Sequence, residues 1–496
     1  MSNESKEKYK IHSIKYNLLM NIILKVSAVL FPLITFPYTA RTLGAEAYGR
    51  VGFAASVVSY FSLVASLGIP SYAVRKCAQK RDDPTELAKT VKEILMINTI
   101  SLCVTYAMFI LCLLVVPRFR EDSVIMMINS LSIILQTFGI EWFYQAIEQY
   151  DYITGRNIAV KIISILLLFT FVKTTEDIIP YCFVSIVGTV GSNILNLIRL
   201  PKLIDLTPKF HLNLKQHLKP IFILFFYYAA TTIYTNLDVV TLGFLTNNTT
   251  VGYYNASVKI KNVLVSVITA LGAVALPRAS YYLYNKENDK FTELIKTSLN
   301  FVLLLSISLA AYFTVEAEPM MLLLAGEGYS GAIQSMKWIT PSIIFIGIGS
   351  ITAWQLLIPL GRDKCTLIGA VVGAFVDFSI NLLLIPKYGA VGASIGTLCA
   401  EFCVVLVHII GLRDILLNFV DIKNILKILT GAVIGILGLI IFNNIVMLNS
   451  AFLSCLYTAI LFYILFIAVE IFLKEESIVR ATNYIKIKIR GLLLKN

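Results

Sequence analysis

The sequence predicts an all-α polytopic membrane protein with about 14 transmembrane helices, and three observations support that prediction. Hydrophobic residues make up 57% of the 496 positions, and charged residues make up only 15%. Apolar stretches of about 20 residues, each long enough to cross a bilayer as a helix, recur from one end of the chain to the other. These stretches are continuous, whereas the strands of a membrane barrel would show short alternating segments.

The distribution of the 42 lysines and arginines predicts the orientation in the membrane. About 31 of them lie in segments on one side of the predicted spans and about six on the other side. The positive-inside rule therefore places both termini in the cytoplasm. The net charge of +12 follows from this topology and from attraction to anionic lipid, so nucleic acid is not expected as a partner.

The first two predicted spans contain an arrangement of charge that is costly in lipid. The first covers residues 14–40 and has Lys25 near its middle. A turn from Arg41 to Arg50 leads into the second span, and a basic loop follows it. A lysine inside a span marks either a path for a charged substrate or a structural ion pair with a neighbouring helix.

The later spans form a repeated pattern. Leu242-Gly243 and Gly252-Tyr253 echo Leu43-Gly44 and Tyr48-Gly49, which indicates two parallel halves related by an axis normal to the membrane. The predicted organisation is an N-lobe of six spans, a basic cytoplasmic linker, a C-lobe of six spans, two additional spans and a basic cytoplasmic tail: 1–198, 199–219, 220–413, 414–473 and 474–496.

The link between the fourth and fifth spans, residues 141–150, is aromatic and acidic. Amphipathic aromatic side chains are common at the membrane–water boundary. The sequence therefore predicts an interfacial aromatic belt in this link.

Several ionisable residues lie within or at the ends of predicted spans, where charge is expensive and usually functional. They are Lys25, Lys161, Asp238, Lys259, Lys261, Asp377 and Glu401. Lys25 and Lys161 lie about 15 Å from either boundary by helical rise, too far for their stems to reach water easily. Asp238 with the two later lysines is equally consistent with mutual pairing, and Asp377 with Glu401 is equally consistent with hydrogen bonds between packed spans.

Motifs for common enzyme chemistry do not occur in the sequence. There is no GxxxxGK[ST] phosphate loop, no HExxH motif and no cysteine–histidine spacing typical of zinc sites. No nucleophile has an adjacent base. We therefore expect neither an enzyme nor a resident cofactor, and a coupling ion, H⁺ or Na⁺, is the one small ligand we expect besides the substrate.

Several motifs follow one another at a consistent spacing. They are Phe36-Pro37-Tyr38, Arg41-Thr42-Leu43-Gly44, Tyr48-Gly49, Leu67-Gly68-Ile69, and, later, Val251-Gly252-Tyr253-Tyr254-Asn255-Ala256 with Lys259. This series resembles the polysaccharide flippases of the multidrug/oligosaccharidyl-lipid/polysaccharide exporter superfamily, and the resemblance extends over nearly the whole chain.

The resemblance implies two pseudo-symmetric six-helix lobes around a central cavity, with two extra C-terminal helices. It implies a bacterial inner-membrane flippase that moves an undecaprenyl-diphosphate-linked oligosaccharide repeat unit from the cytoplasmic to the outer leaflet by alternating access. The product would be a surface polysaccharide such as O-antigen or capsule. Other expected partners are membrane lipids and a downstream polymerase or other assembly protein.

Under this interpretation the cations on the cavity spans bind the diphosphate, because lysine and arginine suit phosphate oxygens. The expected substrate-binding cations are Lys25, Arg41, Arg50, Lys161, Lys259 and Lys261. The acidic residues Asp238, Asp377 and Glu401 are expected to bind a coupling ion or to pair with these cations.

Two other functions are consistent with a helical membrane protein. An ion-coupled multidrug antiporter of the same superfamily would favour an acidic, aromatic cavity, which the basic bias of the cavity spans opposes. An integral-membrane glycan polymerase or glycosyltransferase would need a sizeable outer loop or a catalytic domain, and the predicted outer loops are all short.

Overall fold

A computed structural model describes residues 12–208, 210–446, 448, 450–480 and 482. All regular structure in these ranges is helical, and no strand occurs among them, which confirms the predicted all-α fold. The chain divides into two compact units, one ending at Gly252 and the other beginning at Tyr253.

The helices of the first unit follow one another with short connections. In chain order they are α1 (Ile14–Ser66), α2 (Ile69–Ala78), α3 (Pro84–Val115), α4 (Pro117–Glu121), α5 (Ser123–Thr137), α6 (Glu141–Ala146), α7 (Tyr150–Phe171), α8 (Ile178–Ile186), α9 (Asn193–Leu203) and α10 (Lys215–Leu245). A π-helical turn, Val187–Gly191, joins α8 to α9.

The unit boundary lies inside α11 (Asn248–Tyr284). The helices that follow are α12 (Asn288–Val315), α13 (Ala317–Ala325), α14 (Ala332–Ile339), α15 (Ser342–Ile351), α16 (Asp363–Tyr388), α17 (Ala390–Gly411), α18 (Ile422–Ile445) and α19 (Ala451–Phe472). A second π-helical turn, Thr352–Leu357, continues α15.

Eleven helical segments among the described residues are long and apolar enough to cross a membrane. The first of them is 64 residues long and takes in α1 and α2. The helices α10 and α11, with 31 and 37 residues, each exceed the length that one span requires. The chain is therefore a multi-pass membrane protein, and the number of fourteen spans remains a prediction.

The turn predicted from Arg41 to Arg50 is much shorter in the structure. Only Gly44 leaves helical geometry inside α1, with φ 74° and ψ 173°. A positive φ is easy for glycine and strained for residues with a Cβ, so one glycine breaks the helix. Both arginines consequently lie on helix, one on each side of the break. Part of the predicted basic loop is also helical, because Arg75 lies in α2.

Side-chain caps define where two of the spans begin. The Asp83 carboxylate accepts hydrogen bonds from the backbone N–H groups of Thr85 and Glu86 at 3.0 and 3.1 Å, ahead of α3. Asp421 caps α18 in the same way through the N–H of Asn424 at 3.1 Å. These caps satisfy backbone donors that no carbonyl in the helix can reach.

The predicted linker is largely helical at its ends. Because α9 continues to Leu203 and α10 begins at Lys215, the connection is reduced to residues 204–214. Lys209 of this linker lies outside the described residues, as do residue 481 and residues 483–496 of the predicted tail. The predicted lobe boundaries remain predictions.

The aromatic link is not an interfacial belt. Trp142, Phe143 and Tyr144 are all buried, with exposed fractions of 5% or less, in a cluster that also contains residues of α2 and α3. The Tyr144 hydroxyl donates to the carbonyl of Asn196 at 2.8 Å. The prediction was wrong because α6 packs its rings inward, where a hydrogen bond replaces contact with water.

An exposed ion pair joins two loops of the second unit. The Arg362 guanidinium donates to both Asp414 carboxylate oxygens, at 2.6 and 2.5 Å, and to the carbonyl of Gly411 at 2.8 Å. Hydrogen bonding from Arg362 lowers the pKa of the Asp414 carboxyl to about 2. The pair therefore stays ionised at physiological pH and holds these loops together.

The last two helices pack closely because α18 presents glycines to α19. A Cβ at Gly435 would lie 2.6 Å from the Phe462 ring, and one at Gly431 would lie 2.2 Å from the Glu470 carboxyl group. Phe462 is fully buried and stacks on Phe466 with ring centroids 5.9 Å apart, so its ring is packed on more than one side. Small residues at a helix–helix contact allow the backbones to approach.

We expect Gly435→Ala to lower the free energy of unfolding by about 1–3 kcal/mol, because the added methyl group overpacks a rigid contact. Thermal unfolding of the purified protein in one detergent measures the effect. The matched control is Gly155→Ala in α7, where no atom lies within 4 Å of the added Cβ. That change should be neutral or stabilising, by up to about 1 kcal/mol. Equal losses in both variants would refute the packing argument.

Candidate functional site

Arg50 of α1 forms an ion pair with a buried carboxylate. Its Nε and one terminal nitrogen lie 2.6 and 2.5 Å from the same oxygen of Asp122, between α4 and α5. The Asp122 side chain is only 2% exposed, whereas the Arg50 side chain is 32% exposed. Two nitrogens of the Arg50 guanidinium are therefore already paired within the first unit, and its predicted contact with substrate remains a prediction.

Arg118 of α4 extends this ion pair into a network. One of its nitrogens lies 3.5 Å from the second oxygen of Asp122, and its Nε donates to the carbonyl of Gly243 at 2.9 Å. It also donates to the side chain of Asn248 and lies over the Phe53 ring, 4.9 Å from the centroid. We call Arg50, Arg118, Asp122 and Asn248 the Arg50 cluster. It connects the helix after the Gly44 break with α4 and with the α10–α11 turn.

The same turn contacts α1 through backbone atoms. A Cβ at Gly49 would lie 1.8 Å from the carbonyl oxygen of Asn248, and one at Gly252 would lie 1.9 Å from the carbonyl oxygen of Ala45. Backbone atoms cannot move aside as a flexible side chain can. The two glycines are therefore required for this contact, which lies beside the Arg50 cluster.

Lys161 of α7 is a predicted substrate-binding cation that is half-buried in the first unit. Its ammonium group donates to the hydroxyl of Ser27 at 3.2 Å and lies 6.0 Å from the centroid of the Phe31 ring. No carboxylate forms an ion pair with it among the described residues. A half-buried ammonium with only a hydroxyl and a ring for neighbours retains donors for an anionic ligand.

The other predicted residues of the first unit have different surroundings. Lys25 is exposed on a stretch of α1 whose neighbours, such as Val26 and Leu30, are also exposed apolar residues. Arg41 is exposed just before the Gly44 break. Asp238 in α10 is 6% exposed. The described contacts do not join these residues to Lys161.

In the second unit, Lys259 and Lys261 are half-buried in α11, and Glu401 is half-buried in α17. Asp377 of α16 is 1% exposed and packs against Gly396 of α17, where a Cβ would lie 3.0 Å from its carboxyl group. No group of three or more histidine, cysteine or acidic side chains with the spacing of a metal site occurs among the described residues. The roles predicted for these residues remain predictions.

Sequence reasoning missed two sets of partners. Asp122 was overlooked as the counter-charge of Arg50, although the charged run Arg118–Asp122 could have suggested it. The salt bridge between Arg156 of α7 and Glu141 of α6, at 2.5 Å, was also not predicted. Each pair joins residues of different elements, so helical spacing alone does not reveal them.

We expect Arg50→Gln to lower the free energy of unfolding by about 1.5–3 kcal/mol, because buried Asp122 loses charge-assisted hydrogen bonds. Adding Asp122→Asn should recover part of that loss, since the uncompensated charge is then removed. Thermal unfolding of the single and double variants measures both effects. Arg120→Gln, which changes an exposed arginine of α4 two residues before Asp122, should stay within about 0.5 kcal/mol of wild type. A loss for Arg120→Gln as large as that for Arg50→Gln would contradict this assignment.

We expect Gly49→Val to separate the α10–α11 turn from α1, because its Cβ cannot coexist with the Asn248 carbonyl. Hydrogen–deuterium exchange of peptides covering residues 242–252 should become faster in this variant, by about tenfold or more. Gly155→Ala again provides the control and should leave this exchange unchanged. Unaltered exchange in Gly49→Val would show that the close contact is not needed to hold the turn.

Known proteins are similar in sequence to this one over most of its length. A protein of Escherichia coli (strain K12) named "Putative O-antigen transporter" is 24% identical over 396 residues, which are 79% of this chain and 95% of that protein. A protein of Shigella dysenteriae with the same name is 25% identical over 398 residues, covering 79% of this chain and 98% of that protein.

Solved structures share the fold. The lipid II flippase MurJ, in an inward closed conformation, superimposes with a TM-score of 0.73 over 92% of this chain and 99% of its own, at 16% identity. An inward-facing multidrug resistance transporter of the MATE family, in the MOP superfamily, gives a TM-score of 0.60 over 81% and 98%, at 12% identity. The family described as "Polysaccharide biosynthesis protein" matches residues 14–283, more than half of the sequence. The chain belongs to this polysaccharide biosynthesis protein family.

Proposed function

We propose that this protein is a flippase that moves an undecaprenyl-diphosphate-linked oligosaccharide repeat unit from the cytoplasmic to the outer leaflet of a bacterial inner membrane. The glycan then enters the synthesis of a surface polysaccharide. Both termini lie in the cytoplasm, and the protein acts as a transporter, without covalent catalysis. The family, the names of the sequence relatives and the shared fold with a lipid flippase support this proposal.

The surroundings of Lys161 are the observation that supports a substrate containing a diphosphate. Lys161 is half-buried, and its ammonium group has a serine hydroxyl and a phenylalanine ring as its described contacts. Keeping a charge in such surroundings is costly unless a counter-charge arrives. A diphosphate supplies that counter-charge and accepts hydrogen bonds from the ammonium group.

The surroundings of α1 indicate where the lipid tail and the diphosphate of the substrate would lie. The exposed apolar side chains near Lys25 are suited to contact lipid tails. The exposed ammonium group of Lys25 is suited to bind a phosphate of such a lipid. We infer that the isoprenoid tail stays in the bilayer while Lys25 and Lys161 contact the diphosphate. Arg41, Arg50, Lys259 and Lys261 are proposed to meet the head group at later stages of its passage.

Passage across the membrane then proceeds by alternating access, in which the cavity between two lobes opens first inward and then outward. Two contacts would have to open and close in this cycle. One is the backbone contact between α1 and the α10–α11 turn at Gly49 and Gly252, and the other is the Arg50 cluster. Small side chains at that contact permit a close fit without a hydrophobic core. An H⁺ or Na⁺ gradient, with Asp238, Asp377 or Glu401 as ion-binding or charge-pairing groups, is proposed to supply the energy.

We expect Lys161→Gln to slow flipping by roughly 10- to 150-fold, since a hydrogen bond to a charged group contributes about 1.5–3 kcal/mol. The assay uses purified protein in liposomes with a fluorescent lipid-diphosphate-oligosaccharide, and it follows movement between leaflets. Lys161→Arg should retain most of the rate because it keeps the positive charge. Lys423→Gln, on an exposed side chain in the first turn of α18, is the control and should transport as wild type does.

Each outcome distinguishes the alternatives. Unchanged flipping in Lys161→Gln would remove Lys161 from the substrate site and leave the flippase standing. No movement of any glycan lipid by the wild type, together with ion-coupled efflux of cationic dyes, would identify a multidrug antiporter. Extension or cleavage of the glycan lipid without its movement would identify a polymerase or transferase.

A further inference from the structure

A buried cluster of three polar side chains joins α2, α3 and α10 within the first unit. His217 is fully buried, Glu93 is 1% exposed and Tyr72 is 5% exposed. The two imidazole nitrogens of His217 both have partners, Nδ1 with the Tyr72 hydroxyl at 2.6 Å and Nε2 with a Glu93 carboxylate oxygen at 2.8 Å. We call these residues the His217 cluster. Neither the family resemblance nor the predicted ion sites include it.

Glu93 accepts hydrogen bonds from several directions. The backbone N–H of Asn213 donates to one carboxylate oxygen at 2.7 Å, and the Gln216 side-chain amide donates to the other at 3.2 Å. With His217 this makes three donors around one carboxylate. An ionised carboxylate only accepts hydrogen bonds, so these surroundings suit the charged form of Glu93.

Both imidazole nitrogens of His217 keep a hydrogen-bond partner with or without one additional proton. With a neutral imidazole, Nε2–H donates to Glu93 and Nδ1 accepts from the Tyr72 hydroxyl. When a proton binds to the lone pair of Nδ1, both nitrogens donate, and the hydroxyl of Tyr72 rotates to accept. A hydroxyl can take either role, which a carbonyl or an amide N–H cannot do.

Proton binding also changes the buried charge. The cluster carries one negative charge with a neutral imidazole and no net charge with an imidazolium beside the carboxylate. A single buried charge is more costly than a hydrogen-bonded pair of opposite charges. The protonated cluster therefore makes the stronger contact between α10 and α3.

Other ionisable groups on the neighbouring elements do not replace this pairing. The Lys92 ammonium donates to the carbonyls of Leu206 and Pro208, both at 2.9 Å, and the Glu141 carboxylate pairs with Arg156 at 2.5 Å. Other titratable or charged groups on the packed elements include Lys25 on α1, Arg75, Lys76 and Cys77 on α2, Glu86 and Lys89 on α3, and His211, Lys215 and Lys219 around the start of α10. Cys77 is buried, Lys76, Glu86 and Lys89 are half-buried, and the others of this set are exposed.

The position of the cluster indicates what the proton controls. His217 lies in the first turn of α10, directly after the connection formed by residues 204–214. Lys92 and Glu93 of α3 hold that connection through the carbonyls of Leu206 and Pro208 and the N–H of Asn213. Of these contacts, the Glu93–His217 hydrogen bond is the one whose strength depends on a proton.

We propose that the His217 cluster is a proton-binding site that fixes the start of α10 on α2 and α3, and that release of its proton loosens this attachment. In transport the site couples a proton gradient to movement of α10. The coupling role rests on the proposed flippase function, whereas proton binding and attachment of α10 do not.

Hydrogen–deuterium exchange of the full-length protein in nanodiscs tests the site without transport. Peptides covering residues 204–220 are compared at about pH 5.5 and about pH 8, with rates corrected for the intrinsic pH dependence of exchange. In the wild type we expect exchange at the lower pH to be slower by about fivefold or more. His217→Gln should abolish that difference, because glutamine does not bind the proton.

The matched control is His211→Gln, which removes an exposed histidine from the same connection and should keep the wild-type difference. Should His217→Gln fail to fold, Glu93→Gln serves instead, since it removes the charge that the imidazolium faces. Exchange that is independent of pH in the wild type, or equally dependent on pH in a folded His217 or Glu93 variant, would overturn the proton site.

Flipping in liposomes with an imposed pH gradient tests the coupling role. His217→Gln should lose acceleration by the gradient, by about fivefold or more, and His211→Gln should keep it. Acceleration retained in His217→Gln would overturn the coupling role. Absence of flipping in the wild type would instead refute the proposed function, and the exchange experiment would still decide whether the cluster binds a proton.

Discussion

The interior of a bilayer offers no water to polar groups, and this constraint shapes every part of the molecule. Backbone N–H and C=O groups must therefore form hydrogen bonds within the protein, and outside closed β-barrels only helices achieve this. Departures from helical geometry inside a span should therefore be short. Gly44 breaks α1 at a single residue, so few backbone groups lose their helical partners.

The same constraint distinguishes the charged side chains by their partners. Asp122 and Glu93 are almost fully buried, and each accepts hydrogen bonds from another helix, Asp122 from Arg50 and Glu93 from the start of α10. Such groups hold helices in register because separating them would strand a charge. Lys161 differs, since its described contacts are a hydroxyl and a ring. Its proposed role is therefore to bind an anionic substrate, not to hold helices together.

The proposed substrate contact and the proposed proton site lie in the same unit, with Lys161 on α7 and His217 on α10. Coupling between two such sites is reciprocal. If proton binding changes the position of α10, then a substrate that prefers one position of α10 must change the proton affinity by the same factor. Helix α1 contacts both α7 and α10 and carries Ser27, the hydrogen-bond partner of Lys161. A displacement at the start of α10 thus has a packed route to the surroundings of Lys161.

The sequence by itself determined the helical membrane fold and the family resemblance, because hydropathy and span length are local properties. It also singled out Lys161, whose distance from both ends of its span is a matter of counting. Only the tertiary structure decided that Arg50 pairs with Asp122, that the aromatic rings of α6 point inward and that Tyr72, Glu93 and His217 meet. These partners lie far apart in the chain, and the packing of helices, which no periodicity within one helix encodes, brings them together.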